Sequence, residues 1–146
     1  MTETGRMTID DMEVGLRETY RVTIDQQMID DYAELTQDFN PVHVDPGYAA
    51  ATPFGSTIAH GMLTAGFVQH ALTALCTPGG ISTRYVFELR NPVPPGTEIE
   101  ASAECVCVDR DRRRATFRLV VRSLTEPRHD LITGEAEIAF PRRPTP

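Results

Sequence analysis

The sequence predicts an α+β fold in which one antiparallel β-sheet wraps a long central α-helix. Three observations lead there. From Ile81 onward the chain alternates apolar and polar residues in four successive stretches, the period of half-buried strands. A fifth stretch of the same kind lies near the N-terminus. Between them, His60–Cys76 is apolar on nearly every side, and such a helix needs cover around most of its circumference, which a sheet provides. The 146 residues suffice for one domain around a single core, with residues 1–10 and 141–146 as tails.

Taken in order, Leu16–Ile24 reads as a strand with Tyr20, Val22 and Ile24 on one face. Over Asp25–Gln37 the period changes: Ile29, Tyr32, Ala33 and Thr36 form a helical stripe flanked by Met28 and Leu35. Either Thr23 with Gln26, or Asp25, caps its start, and Pro41 ends it by disfavouring helical geometry in the residue before it. Asp45-Pro46 has the form of a cap and first position for a short helix to Ala51, followed by a loop through Ser56. In the central helix Gly61 and Gly66 each cost about 1 kcal/mol relative to alanine, so close backbone approach is expected at both. The four later strands carry inward faces of Ile81/Tyr85/Phe87/Leu89, Ile99/Ala101/Ala103/Cys105/Cys107, Ala115/Phe117/Leu119/Val121 and Ile132/Ala136/Ile138/Phe140.

Charge narrows the function classes. Residues 1–60 hold eleven acids against three arginines, residues 61–146 hold ten against eleven, and there is no lysine. A net charge of −7 argues against general nucleic-acid binding, which needs clustered positive charge. His60, Gln69 and His70 interrupt the longest apolar stretch, so no membrane span is expected. The polar opening Met-Thr-Glu-Thr-Gly does not read as a secretory signal, and three cysteines cannot all pair in one chain. A reduced, cytoplasmic protein is the expectation. Cys105 and Cys107, two apart on a strand, are expected to face the same way as small core residues, and Arg110–Arg114 to be a solvated hairpin tip or a small phosphate site.

Functional side chains concentrate between Asp38 and His60. Asp38 and His43 sit on a segment pinned by Pro41, presenting a carboxylate and an imidazole suited to general acid–base work on water and carbon. The same pair could instead be a turn cap and a packing ring. His60-Gly61-Met62 supplies a helix start whose first amides lack intrahelical partners; Gly61, without a side chain, lets a carbonyl oxygen come close to them. His60 reads as a structural hydrogen-bonder. No regular ligand spacing points to a metal, and none is expected.

The run Asp38-Phe39-Asn40-Pro41-Val42-His43, followed by Phe54-Gly55-Ser56-Thr57-Ile58-Ala59-His60-Gly61-Met62, closely resembles the hydratase motif of the MaoC-like dehydratase family, with (R)-specific enoyl-CoA hydratases among its members. Weaker likeness continues through Asn91–Gly96 and Thr133–Ala136. The resemblance implies a hot-dog fold, a homodimer or higher homo-oligomer, no cofactor, and a hydro-lyase acting on trans-2-enoyl or 3-hydroxyacyl thioesters of coenzyme A or acyl carrier protein. It implies that Asp38 and His43 hold one water, that the Gly61 N–H holds the thioester oxygen, and that Asn40 orders the loop. His60, Ser56 and Gln69 are expected to touch substrate or to support the catalytic groups; Gln69 stands where several short-chain members of the family carry serine, which would reshape the acyl pocket. Two alternatives remain on this fold: a thioesterase, and a non-catalytic acyl-thioester-binding subunit of a heteromeric dehydratase.

Overall fold

The computed structural model describes residues 5–143. Five strands, β1 (Arg17–Ile24), β2 (Ile81–Leu89), β3 (Thr97–Asp109), β4 (Arg114–Ser123) and β5 (Asp130–Ala139), form one sheet in the order β1-β3-β4-β5-β2. Every neighbouring pair is antiparallel. The helices are α1 (Gln26–Thr36), α2 (Pro41–Val44), α3 (Pro46–Ala50), α4 (Gly61–Gly66) and α5 (Val68–Cys76). The α+β architecture is the one the alternation and the apolar helix required. α5 packs against β1, β3 and β4, and its Val68, Ala71, Leu72 and Cys76 join the inward residues of β3, β4 and β5 in one buried cluster. None of the described helices is long and apolar enough to cross a membrane.

Local chemistry explains the element ends. Asp25, not Thr23, caps α1 by accepting from the Met28 amide at 2.9 Å. Asp45 caps α3 by accepting from Tyr48 N at 3.0 Å, with Pro46 at the first helical position. On α1 only Ile29 and Ala33 are buried; Leu35 is 82% exposed, outside the predicted stripe.

The central helix departs from expectation in two ways. It is two segments, divided at Phe67, where Phe67 N reaches Thr64 O and His70 N reaches Phe67 O in three-residue steps. Gly66 stands at that break, and a Cβ there would meet nothing within 4 Å, so the close approach expected at this glycine is absent. The cover is also incomplete: Met62, Gly66, Gln69 and Thr73, spaced along one face, are exposed.

Two strand faces are corrected by bulges. Between Cys105 and Cys107 the register slips, so Cys105 opposes Phe117 and is buried while Cys107 opposes Thr116 and is exposed. A slip of one residue moves the rest of the strand to the other face. Likewise the irregularity between Ser82 and Arg84 places Ser82 opposite Ile138 and leaves Ile81 66% exposed, off the face of Tyr85 and Phe87. Of the expected N-terminal tail, residues 1–4 lie outside the described residues, whereas Thr8 and Ile9 are buried. Arg110 fastens this segment, donating to Ile9 O at 3.1 Å and Met12 O at 3.4 Å. At the other end residues 144–146 lie outside the described residues, and Arg143 pairs with Asp10 at 3.5 Å.

Candidate active site

The site is assembled where α1 ends. Gln37 closes that helix in the left-handed region (φ 61°), which turns the chain so that Asp38 leaves it exposed. The Asp38 carboxylate accepts from Asn40 N at 3.2 Å, and the Asn40 side chain accepts from Val42 N at 3.3 Å. Asn40 is therefore the cap of α2, a single helical turn that the Asp38–His43 segment had not been expected to contain. His43 rides on that turn.

A strap of residues 56–60 is bonded to both candidate segments. Ile58 N donates to Val42 O at 3.2 Å, and the His43 ring donates from Nδ1 to Ile58 O at 2.7 Å. A carbonyl can only accept, so this bond places a proton on Nδ1 and leaves Nε2 as the ring nitrogen it does not engage. His60 donates from Nε2 to the backbone carbonyl of Asp38 at 3.0 Å. The strap is fixed in turn by Ala59 N, which donates to Val93 O at 2.8 Å. His60 is 3% exposed, its ring lies between Tyr32 and His43, and its buried Nδ1 has no hydrogen-bond partner.

One ligand atom each from Asp38, His43 and His60 lie within 4.8 Å of one another, the one such group among the described residues. The two imidazoles are in contact but tilted, centroids 3.9 Å apart and planes 30° apart. Each ring has spent one nitrogen on a backbone carbonyl. The spacing of the group admits a water shared by carboxylate and imidazole.

His43 forms part of the wall of a cavity of about 290 Å³. Gly61 lines it too, at the first position of α4, where the amide has no intrahelical acceptor. Phe54, Leu89, Val93 and Ile132 supply its apolar wall, and Thr64, Arg90 and Asn91 its polar part. A Cβ on Gly61 would run into the Leu89 side chain, so this glycine does keep a close approach open. Asp38 is not among the lining residues; it adjoins the cavity through His43.

The other predicted residues fall elsewhere. Ser56 donates to Thr57 O at 3.0 Å and does not line the cavity. Gln69 donates to the Tyr85 hydroxyl at 3.2 Å and borders a different hollow with Cys76 and Ser82, so the structure does not bring it to Asp38. Burial pushes the Cys76 thiol up to about 12 and the Cys105 thiol upward, so both are protonated core groups. Sequence reading missed the Ile58 carbonyl, the walls from Leu89 and Ile132, and Gln26, whose amide bridges His43 O and Thr57 Oγ1. None of these carries a local signal, because each contact spans a long stretch of chain.

Comparison with known proteins gives a consistent result. The MaoC like domain family matches residues 10–126. A 3-hydroxybutyryl-CoA dehydratase of Methylorubrum extorquens is 35% identical over 135 residues, covering 92% of this chain and 84% of that one. An (R)-specific enoyl-CoA hydratase of Rhodospirillum rubrum is 33% identical, covering 92% of each. The unliganded R-hydratase PhaJ1 from Pseudomonas aeruginosa superposes with a TM-score of 0.83 at 28% identity, over 94% of this chain and 88% of that one.

Proposed function

This chain belongs to the MaoC-like domain family, and on that premise we propose that it is a hydro-lyase adding water to, or removing it from, the double bond of a short trans-2-enoyl thioester. The observation that carries the proposal is the His43 ring, with Nδ1–H committed to Ile58 O and Asp38 beside it, on the wall of the cavity that Gly61 also lines. The hot-dog fold of the superposed hydratases is the architecture seen here.

The chemistry follows from these groups. Asp38 and His43 hold one water between them. As its oxygen bonds to the β-carbon, the pair takes one of its protons, and the double-bond electrons move toward the thioester carbonyl. The oxygen that gains this charge accepts from the Gly61 N–H, a preorganised donor at the start of α4. The α-carbon then takes the proton back from the pair, so one water is added and the groups return to their starting state. Dehydration is the reverse. Asn40 orders the loop without facing substrate, and His60 holds the Asp38 backbone.

A cavity of about 290 Å³ is at the small end for ligand sites and suits a short acyl chain, carried by coenzyme A or acyl carrier protein. A second copy of the chain covers the β2 edge, where Ile81, Val86 and Leu89 are exposed. The single domain acts in the cytoplasm, consistent with three free thiols. Crotonyl-CoA tests the reaction: loss of its enoyl absorbance is expected, and longer enoyl-CoA esters should react more slowly. No loss at high enzyme concentration refutes hydration of short CoA esters, and thiol release without enoyl loss would indicate hydrolysis instead. Light scattering should give twice the monomer mass or more.

A further inference from the structure

We propose that Gln26 is a positioning residue for His43, setting the place and tautomer of that ring from outside the catalytic loop. The inference deepens the reading above and rests on it for its kinetic part. Gln26 is the first residue of α1, half-buried, and its amide makes three bonds. Nε2 donates to His43 O at 2.9 Å and to Asp30 Oδ1 at 2.9 Å, while Oε1 accepts from Thr57 Oγ1 at 2.7 Å. Thr57 is 6% exposed, so this hydroxyl is a buried polar group with a dedicated acceptor.

The placement matters because α2 cannot hold itself. It is four residues long, shorter than a helix needs for independent stability, and its last carbonyls have no intrahelical partner. Asn40 secures its first turn, and Gln26 satisfies the carbonyl of His43 at its end. On its other side the same amide holds Thr57, the residue before Ile58, whose carbonyl fixes the His43 ring. Gln26 therefore ties together the two pieces of backbone between which the ring is suspended: the turn that carries it and the strap that orients it. The group must donate twice and accept once, which a glutamine amide does. Glutamate at this position would set a carboxylate against the Asp30 carboxylate and the His43 carbonyl.

Gln26 does not line the cavity, so its effect must pass through His43. A displacement of about 1 Å in a catalytic group costs on the order of 100-fold in rate. Gln26→Leu and Gln26→Glu should therefore lower kcat by roughly 10- to 100-fold while KM for crotonyl-CoA stays within about threefold. Thr57→Val should reproduce a smaller kcat loss, Thr57→Ser should restore it, and the Gln26→Leu/Thr57→Val double variant should be no worse than Gln26→Leu alone. Side-chain ¹⁵N spectra of the folded protein give a readout independent of turnover. The His43 signal, assigned with His43→Ala, should report a protonated Nδ1 in the parent and mixed tautomers in Gln26→Leu. Should Gln26→Leu fail to fold, the Thr57 pair carries the same comparison. Unchanged kcat and an unchanged His43 signal overturn the proposal, as does a loss in KM alone. An inactive parent whose His43 signal still depends on Gln26 would refute the proposed reaction and leave the positioning role standing.

Discussion

The α2 turn and the start of α4 each present one histidine, and the two rings lie 3.9 Å apart, yet they are held in opposite senses. His43 on α2 spends Nδ1–H on the Ile58 carbonyl, stays half-buried, and lines the cavity. His60, at the N-cap position of α4, spends Nε2–H on the Asp38 carbonyl and is buried against its neighbour. The difference teaches that the backbone carbonyl each ring meets assigns its role. One ring keeps its second nitrogen beside the cavity, while the other holds the backbone of Asp38 in place.

Variants that remove one member of each region test this contrast. The largest effects belong to Asp38→Ala and His43→Ala, which should each lower turnover by roughly 10²–10⁴-fold with circular dichroism and oligomeric mass unchanged. Gly61→Val should follow at about 10²–10³-fold, since the added side chain meets Leu89 and crowds the oxygen's approach. Gly61→Ala should cost less, because Leu89 is 59% exposed and can swing aside. A folded Gly61→Val variant with normal turnover would remove the oxyanion role from the α4 start.

His60→Ala should reverse the pattern, costing less than about tenfold in kcat, well short of a positioned acid or base, while lowering the melting temperature more than His43→Ala does. It removes a buried ring and strips the Asp38 carbonyl of its donor. Equal kinetic losses at both histidines would erase the distinction. In the distal core, burial keeps the Cys76 thiol protonated to about 12, whereas an unfolded thiol ionises near 9.0. Unfolding then releases a proton in that window, so stability should fall as pH rises from about 9 toward 12, less steeply in Cys76→Ala melts. The smallest effect is expected at Gly66, where nothing lies within 4 Å of a Cβ: Gly66→Ala should raise stability by about 0.5–1 kcal/mol.

The sheet was largely legible because alternation is a local signal: Ala115, Phe117, Leu119 and Val121 alternate without interruption and all are buried. Reading failed where one residue breaks the count, at the slips before Cys107 and after Ser82, because a bulge is set by pairing with another strand. The break after Gly66 and the open stripe from Met62 to Thr73 were hidden for a related reason, since cover depends on what the sheet reaches. In the site, Asp38, His43, His60 and Gly61 stood out by residue type and spacing, and the fold brings them together. Ser56 and Gln69, the latter singled out only through the family resemblance, lie apart, while Gln26 stood out only as a cap candidate, its partners His43 and Thr57 being 17 and 31 residues away.

The claim that the two candidate groups act on one shared water is tested most directly by the Asp38→Ala/His43→Ala double variant, assayed on crotonyl-CoA beside both single variants. Groups that work as a unit are non-additive, so the double variant should be no more than a few-fold slower than the slower single variant. A double variant whose loss equals the product of the two single losses would contradict the shared water and separate Asp38 from His43.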